Sequence, residues 1–387
     1  MPRWRIDFLA SVPPEETSSG LGRGVWGLSG ALVSLGHRVR VLYPADPPRA
    51  HAPYLGVEAV PVPTAGASRR PFGRDIAFGR RATALIEPTT DLLIGNDEKA
   101  GALGTVPSTR KDRPVFGFMA HDVALHTFDT LRPLEPDRGL RQRVGNWLDR
   151  RALKGLEGQA LARARAVLVG SSLNAELLER YYRIPKNRIH HLPHGVPDPV
   201  AVGTKAEARL ALKVPPDVPV VAFVGRTPER QGLPVALAAF RKVRVFFPGA
   251  RFLVAGSTPK SEPGVVPLGL VDEMTKARVF TAADVFIFPA KYEGFGLAPR
   301  EAMRYGLATI VSSQVPLEGI EPSEACRVVA SEDPADYASE LAELLADPAL
   351  RRSLGEAART LADAMSYDRM AERFERIFAP IVGPSDG

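Results

Sequence analysis

Residues 281–313 read TAADVFIFPAKYEGFGLAPREAMRYGLATIVSS. An apolar run (VFIFP, 285–289), a glycine-rich turn (EGFG, 293–296), a segment opening near Pro299 and a second apolar run (Thr309–Ser312) follow one another. That order predicts strand, loop, helix and strand, the repeating unit of a parallel sheet. Pro299 suits the first turn of the helix, where its missing N–H costs nothing. Gly294 and Gly296 let the backbone approach a ligand closely. The amides around Phe295 and Leu297 then point out of a helix N-terminus, where unpaired N–H groups and the helix dipole favour an anion such as a pyrophosphate. Two carboxylates frame the turn. Glu301, expected in the first helical turn, is placed to accept two hydrogen bonds from a vicinal diol such as a ribose. Glu293, at the strand end, is expected to face a cleft and hold sugar hydroxyls.

The same alternation runs outward in both directions. Upstream, strands are expected at Arg5–Ala10, Val39–Tyr43, Val57–Val62, Asp91–Ile94, Val115–Met119 and Ala166–Val169. Between them fall a glycine-rich loop (SSGLGRG, 18–24) with a helix to about Leu35, one long or broken helix over 138–165, and a helix over 173–182 capped by Ser171. The pattern restarts at Val220–Val224, with a helix over 233–247 and strands at Arg251–Ala255 and Asp284–Phe288, and the tail from Pro334 to about Ile381 reads as mostly helical. Pro193, Pro197, Pro199 and Gly203 mark a break near 195–203. The fold class is therefore α/β, with two doubly wound domains and ligands expected at strand C-terminal ends.

Here the sequence resembles a known family. Glu293 and Glu301 with Gly-Phe-Gly-Leu between them are similar to the signature of family 4 of the retaining glycosyltransferases, which have the GT-B fold. The whole of 281–313 resembles that family, as do RAVLVGSS (165–172) and HHLPHGVPD (190–198), where His194 stands at a position more often Asn. The resemblance implies two Rossmann-like domains facing each other across a cleft: an acceptor domain over 1–195, a nucleotide-sugar donor domain over 196–365, and a terminal helix from 366 to 387 that crosses back to the first.

Three further segments take meaning from it. In AFVGRTPERQGL (222–233), Arg226 projects from a strand end, where an Arg forms paired, charge-assisted hydrogen bonds to phosphate. A surface ion pair is the alternative. The family usually has Lys where this chain has Gln231, so either Arg230 supplies the missing charge or the leaving group is stabilised less well. In FGFMAHD (116–122), His121 follows a buried strand, and the resemblance implies that it contacts the donor sugar near the reacting carbon. A partly buried His bonded to backbone is the alternative, and Asp122 either fixes its tautomer or caps the next turn. The SSGLGRG loop fails the G-x-G-x-x-G dinucleotide pattern, because Gly20 and Gly22 would require glycine where Val25 stands. The resemblance instead places Gly20 and Gly22 against the donor phosphates, with a ligand-free turn as the alternative.

The implied activity is transfer of a hexosyl group from a UDP- or GDP-sugar to a hydroxyl acceptor, with retention of configuration. There is no Asp-x-Asp pair of the kind that holds Mg²⁺ under a nucleotide, and one Cys with scattered His builds no zinc pattern, so no metal and no separate cofactor is expected. Arg226, the helix-end amides and Arg230 would neutralise the departing diphosphate. Two rivals remain: a catalytically weak nucleotide-sugar-binding or scaffold protein, suggested by Gln231, and a nicotinamide- or nucleotide-linked enzyme of other chemistry. The acceptor class implied is a saccharide, a lipid-linked molecule or a small metabolite.

Composition narrows the setting. The chain has 387 residues, 45% of them hydrophobic and 24% charged, the mix of a globular protein. Its only cysteine is Cys326, which suggests a reducing interior. No apolar run approaches the roughly 20 residues of a membrane span, and MPRWRIDFLAS lacks a signal-peptide core. A cytoplasmic protein is expected. The net charge of +6 is uneven: residues 1–195 hold 28 Lys and Arg against 19 Asp and Glu, and the remainder 22 against 25. Arg outnumbers Lys 40 to 10, so genome composition explains the excess as well as an anionic partner does. Five arginines lie in SRRPFGRDIAFGRR (68–81). In RGLRQRVGNWLDRRALKG (138–155), Leu140, Val144, Trp147 and Leu148 share one helical face among arginines. Such a stripe ordinarily packs on its own domain with the charges in water; the alternative is peripheral contact with the inner face of an anionic membrane. Nucleic acid is not expected, since no stacking platform accompanies the charge.

Overall fold

The computed structural model describes residues 3–10, 13–14, 20–47, 54–66, 72–96, 114–131, 139–318 and 325–383. The chain forms two compact units, Met1–Gly195 with Tyr367–Gly387, and Val196–Ser366.

The first unit runs β1 (Arg5–Leu9), α1 (Gly20–Ser34), β2 (Arg38–Pro44), β3 (Glu58–Val62), α2 (Gly73–Thr83), β4 (Leu92–Asn96), β5 (Val115–Ala120), α3 (Ala124–Leu131), α4 (Leu140–Arg163), β6 (Ala166–Val169), α5 (Ser172–Tyr182) and β7 (Ile189–His191). Its seven strands lie in the order β3-β2-β1-β4-β5-β6-β7, all parallel. Strands buried on both faces read as apolar runs, and one exception explains itself. Asp7 in β1 is buried, yet both its oxygens are taken by the Arg40 guanidinium of β2 at 2.8 and 2.7 Å, and Thr90 donates to it at 2.9 Å. A paired, hydrogen-bonded charge is what a core tolerates. The C-terminal helix, Tyr367–Val382, belongs to this unit: Met370, Phe374 and Phe378 join the core of Trp4, Phe8 and Trp26, and His37 bonds Glu375 at 2.8 Å.

The second unit runs α6 (Lys205–Ala211), β8 (Val220–Val224), α7 (Leu233–Val243), β9 (Arg251–Ala255), β10 (Val265–Gly269), α8 (Glu273–Ala282), β11 (Val285–Phe288), α9 (Leu297–Arg304), β12 (Ala308–Ser312), β13 (Arg327–Val329), α10 (Pro334–Ala346) and α11 (Pro348–Asp363). The parallel order is β10-β9-β8-β11-β12-β13. In each sheet the strand order reverses beside the first strand of the unit: β1 lies between β2 and β4, and β8 between β9 and β11. Loops leaving these strands at their C-terminal ends are where doubly wound folds bind ligands.

The short strands β7, β10 and β13 were not expected. Each is an edge or near-edge strand of three to five residues whose exposed positions interrupt the apolar pattern. Helix α1 begins at Gly20, so Gly20–Gly24 are helical and not loop; residues 18 and 19 of the glycine-rich stretch lie outside the described residues. Residues 68–71 and 138 of the two arginine-rich stretches lie outside them as well.

Candidate functional site

In the first unit the site grows from the ends of β4 and β5. Asn96 ends β4 and His121 directly follows β5, the strand beside it. Neutral His121 donates its Nε2–H to Asn96 Oδ1 and accepts at Nδ1 from the Nε2–H of His194, 3.1 Å away. The two imidazoles stack with centroids 4.6 Å apart and planes 16° apart. Burial pushes the His121 pKa down to about 4, so the ring is uncharged at neutral pH. Its backbone is pinned too: buried Asn174 donates to the His121 carbonyl at 2.8 Å, while Ser171 caps α5 by accepting from the Asn174 amide at 3.2 Å. Gly24 of α1 completes the wall. A Cβ there would lie 3.3 Å from His194 Nδ1 and 3.5 Å from His121 Cε1, so glycine lets the helix close on the pair.

The expectation that Asp122 fixes the His121 tautomer is replaced: Asn96 and His194 bond both ring nitrogens. Asn96 escaped sequence reasoning, although a polar residue ending the buried run LLIGN was a usable signal. Its Nδ2 is buried and has no hydrogen-bond partner among the described residues.

In the second unit, two loops at neighbouring strand ends interlock. The loop after β8 carries Arg226, Arg230 and Gln231; the loop after β11 carries Glu293–Gly296. Gln231 brackets them, accepting at Oε1 from the Thr227 amide at 3.0 Å and donating from Nε2 to Glu293 Oε1 at 3.0 Å. Arg230 lies 3.6 Å from the same Glu293 oxygen, and its carbonyl accepts from the Lys291 amide at 2.8 Å. Gly232, with φ of +76°, caps α7 where a Cβ would fall 1.8 Å from the Pro289 carbonyl oxygen, so only glycine lets the loops meet. Arg226 is exposed at the end of β8 and makes no ion pair with a described residue.

Helix α9 starts at Leu297, not near Pro299, because Gly296 takes a left-handed cap conformation two residues earlier than the proline signal implied. Leu297 and Ala298 thus supply the first helical N–H groups, and Pro299 sits third, where it sacrifices no bond. Glu301 accordingly lies in the second turn and not the first. It is buried, and Lys276 of α8 donates to its Oε1 at 3.2 Å while also pairing with Glu273 at 2.7 Å. Buried Arg300 holds the turn: it donates to the carbonyls of Phe295 and Pro316, the latter at 2.9 Å, and its guanidinium lies 3.9 Å from the Phe295 ring centroid. Burial lowers its pKa to about 10, still far above neutrality. Gly294, Phe295 and Gly296 are all buried, with Leu297 half-buried. Neither Lys276 nor Arg300 was anticipated, since a lone cation in a helix ordinarily reads as solvent-facing. Among the described residues no group of three or more His, Cys, Asp or Glu side chains gathers to hold a metal.

Two family models match the chain: Glycosyltransferase Family 4 over residues 18–198, and Glycosyl transferases group 1 over residues 218–347. Together the two matches cover most of both units, and the chain is a GT-B protein that resembles the family 4 glycosyltransferases. A D-inositol 3-phosphate glycosyltransferase of Segniliparus rotundus is 31% identical to this GT-B chain over 56% of its length. The match spans 52% of that relative, so the chain covers about half the length of that protein. Among solved structures, sucrose-phosphate synthase of Thermosynechococcus elongatus shares the GT-B fold with a TM-score of 0.79 and 21% identity, over 98% of this chain and 99% of that one. Anabaena HepE in complex with UDP and glucose does so at 0.73 and 13%, over 98% and 100%.

Proposed function

We propose that this GT-B glycosyltransferase moves a hexosyl group from a nucleoside diphosphate sugar to a hydroxyl acceptor, with retention of configuration and without a bound metal. The single observation that carries the donor assignment is the second unit's arrangement of an unpaired Arg226, the α9 N-terminus and the buried carboxylate of Glu301 around one pair of strand ends. Arg226 and the Leu297 and Ala298 amides would take the diphosphate, which supplies positive charge where the leaving group gains negative charge. Glu301, held in place by Lys276, would accept the ribose hydroxyls. The capture of UDP and glucose by Anabaena HepE, which shares the fold, supports a nucleotide of this class.

In the second unit Glu293 would hold donor-sugar hydroxyls; for His121 of the first unit, a sugar contact is what the family resemblance implies. Glu293 offers the sugar hydroxyls a carboxylate already positioned by Gln231 and Arg230. His121 is neutral with both nitrogens engaged, so hydrogen bonding to the sugar requires it to exchange a partner. In the reaction, the acceptor oxygen forms a bond to the anomeric carbon on the face from which the diphosphate leaves. The bond from that carbon to the phosphate oxygen breaks, and a diphosphate oxygen takes the acceptor proton. Gln231 adds hydrogen bonds but no charge, so Arg226 carries most of the phosphate neutralisation.

Titration calorimetry with nucleoside diphosphates tests the donor site. Glu301→Ala is expected to weaken binding at least about tenfold, the scale of a lost charge-assisted hydrogen bond, while Lys276 keeps Glu273 as its partner and the chain stays folded. Unchanged affinity would refute the ribose assignment. A large rise in donor hydrolysis for Gln231→Lys would favour the weak-catalyst reading instead.

A further inference from the structure

Helix α4 buries apolar side chains along its C-terminal half, whereas Val144, Trp147 and Leu148 of its N-terminal half are exposed. Leu153, Leu156, Ala160 and Leu161 are buried, and Glu157 accepts from the Ala124 and Leu125 amides of α3 at 2.9 and 3.2 Å. Arg150 grips Asp129 through two bonds of 2.7 and 2.8 Å. These contacts fix the helix's rotation. At about 100° per residue, they turn Val144, Trp147, Leu148 and Arg151 to the opposite side. Sequence reasoning favoured packing of this stripe on its own domain. In the structure Val144 is 50% exposed, Trp147 58% and Leu148 53%; the Leu140 side chain lies outside the described residues. The stripe turns outward because the helix buries its other face.

The outward face has a distinct chemistry. Arg143, Arg151 and Lys154 are exposed on or beside the stripe, and the Arg151 guanidinium lies 5.7 Å from the Trp147 ring centroid. The one carboxylate of this stretch, Asp149, falls on the helix's flank about 140° from Val144. Two aliphatic side chains and an indole ringed by cations match a surface that is apolar beneath and negative above. Nucleic acid would leave Leu148 and Val144 without a role. An anionic bilayer uses every one of these groups: the indole at headgroup depth, the aliphatics below it, and the cations on lipid phosphates.

We propose that the outward face of α4, centred on Trp147 and Leu148, docks the first unit on an anionic lipid bilayer. Docking is independent of the donor-site reading, and its test contains no nucleotide. The chain has three tryptophans, and Trp4 and Trp26 are buried, so Trp147 reports its own surroundings. The full chain is mixed with vesicles of phosphatidylcholine carrying about 30% phosphatidylglycerol, or with phosphatidylcholine alone, and followed by Trp emission and co-sedimentation. Expected are a blue shift and sedimentation with the anionic vesicles only, weakened by salt. Leu148→Glu should cut partitioning at least about tenfold, and each of Arg151→Gln and Lys154→Gln about fivefold. All three positions are exposed, so thermal stability and nucleotide binding should not change.

Absence of a blue shift, equal binding to neutral vesicles, or partitioning unaffected by these substitutions would overturn the proposal. So would a lipid-free, concentration-dependent dimer that buries Trp147, which would assign the face to a second copy of the chain.

Discussion

His121 shows how one side chain's chemistry is set by neighbours far away in sequence. Its folded pKa of about 4 lies below the ordinary 6.5 because burial penalises the charged ring. Between these values the unfolded chain binds a proton that the folded chain does not, so stability is full above about pH 6.5 and falls as pH drops toward 4. The folding equilibrium of the first unit is therefore expected to weaken by up to about tenfold per pH unit in that window. Urea titrations at stepped pH check this, and His121→Asn should flatten the slope; an equally steep variant would place the proton elsewhere. The position of His121 after a buried strand was legible in FGFMAHD. Its partners were not, because Asn96 and His194 lie 25 and 73 residues away and only strand pairing brings them together.

At the scale of elements, α9 and its preceding turn carry the donor-site reading, and Arg300 preorganises them. Its bonds to the Phe295 and Pro316 carbonyls, with the Phe295 ring beneath it, require the planar fork of a guanidinium. Arg300→Lys is expected to destabilise the second unit by about 2–4 kcal/mol, since a buried ammonium leaves carbonyls unpaired. It should also lower nucleoside diphosphate affinity although Arg300 is wholly buried; the two readouts are thermal unfolding and calorimetry. A variant with native stability and affinity would remove Arg300 from this role. The strand-turn-helix order of 285–304 was readable because apolar runs, paired glycines and a first-turn proline each have a local physical cause. The helix start was misplaced by two residues because Gly296 caps it in a left-handed conformation, a choice between two glycines that the sequence leaves open. The α4 stripe was misread for a related reason. Periodicity shows that a helix has an apolar face but not which face the domain covers.

At the scale of the whole molecule, the chain enters the second unit after Gly195 and returns to the first at Tyr367. The returning helix is part of the first unit's core: Phe374 and Phe378 are fully buried, and Phe8 packs against Phe374 in a tilted arrangement with centroids 6.0 Å apart. Phe378→Ala should cost the first unit about 3–5 kcal/mol, the range for emptying a buried aromatic site. The second unit's transition should hold, as resolved by calorimetric unfolding. Loss of both transitions together would show that the units do not unfold separately.

Local sequence sets the alternation of strands and helices, the two doubly wound sheets, the strand ends that precede Arg226, Glu293 and His121, and the helix that carries Glu301. These follow from local periodicity and from glycine and proline geometry, which act over a few residues. Tertiary structure alone decided the His121–His194 pair, the Lys276 and Arg300 supports, the membership of the last helix in the first unit, and the exposure of Trp147. Each depends on contacts between residues distant in the chain, and those contacts exist only once the sheets have fixed strand order and helix rotation.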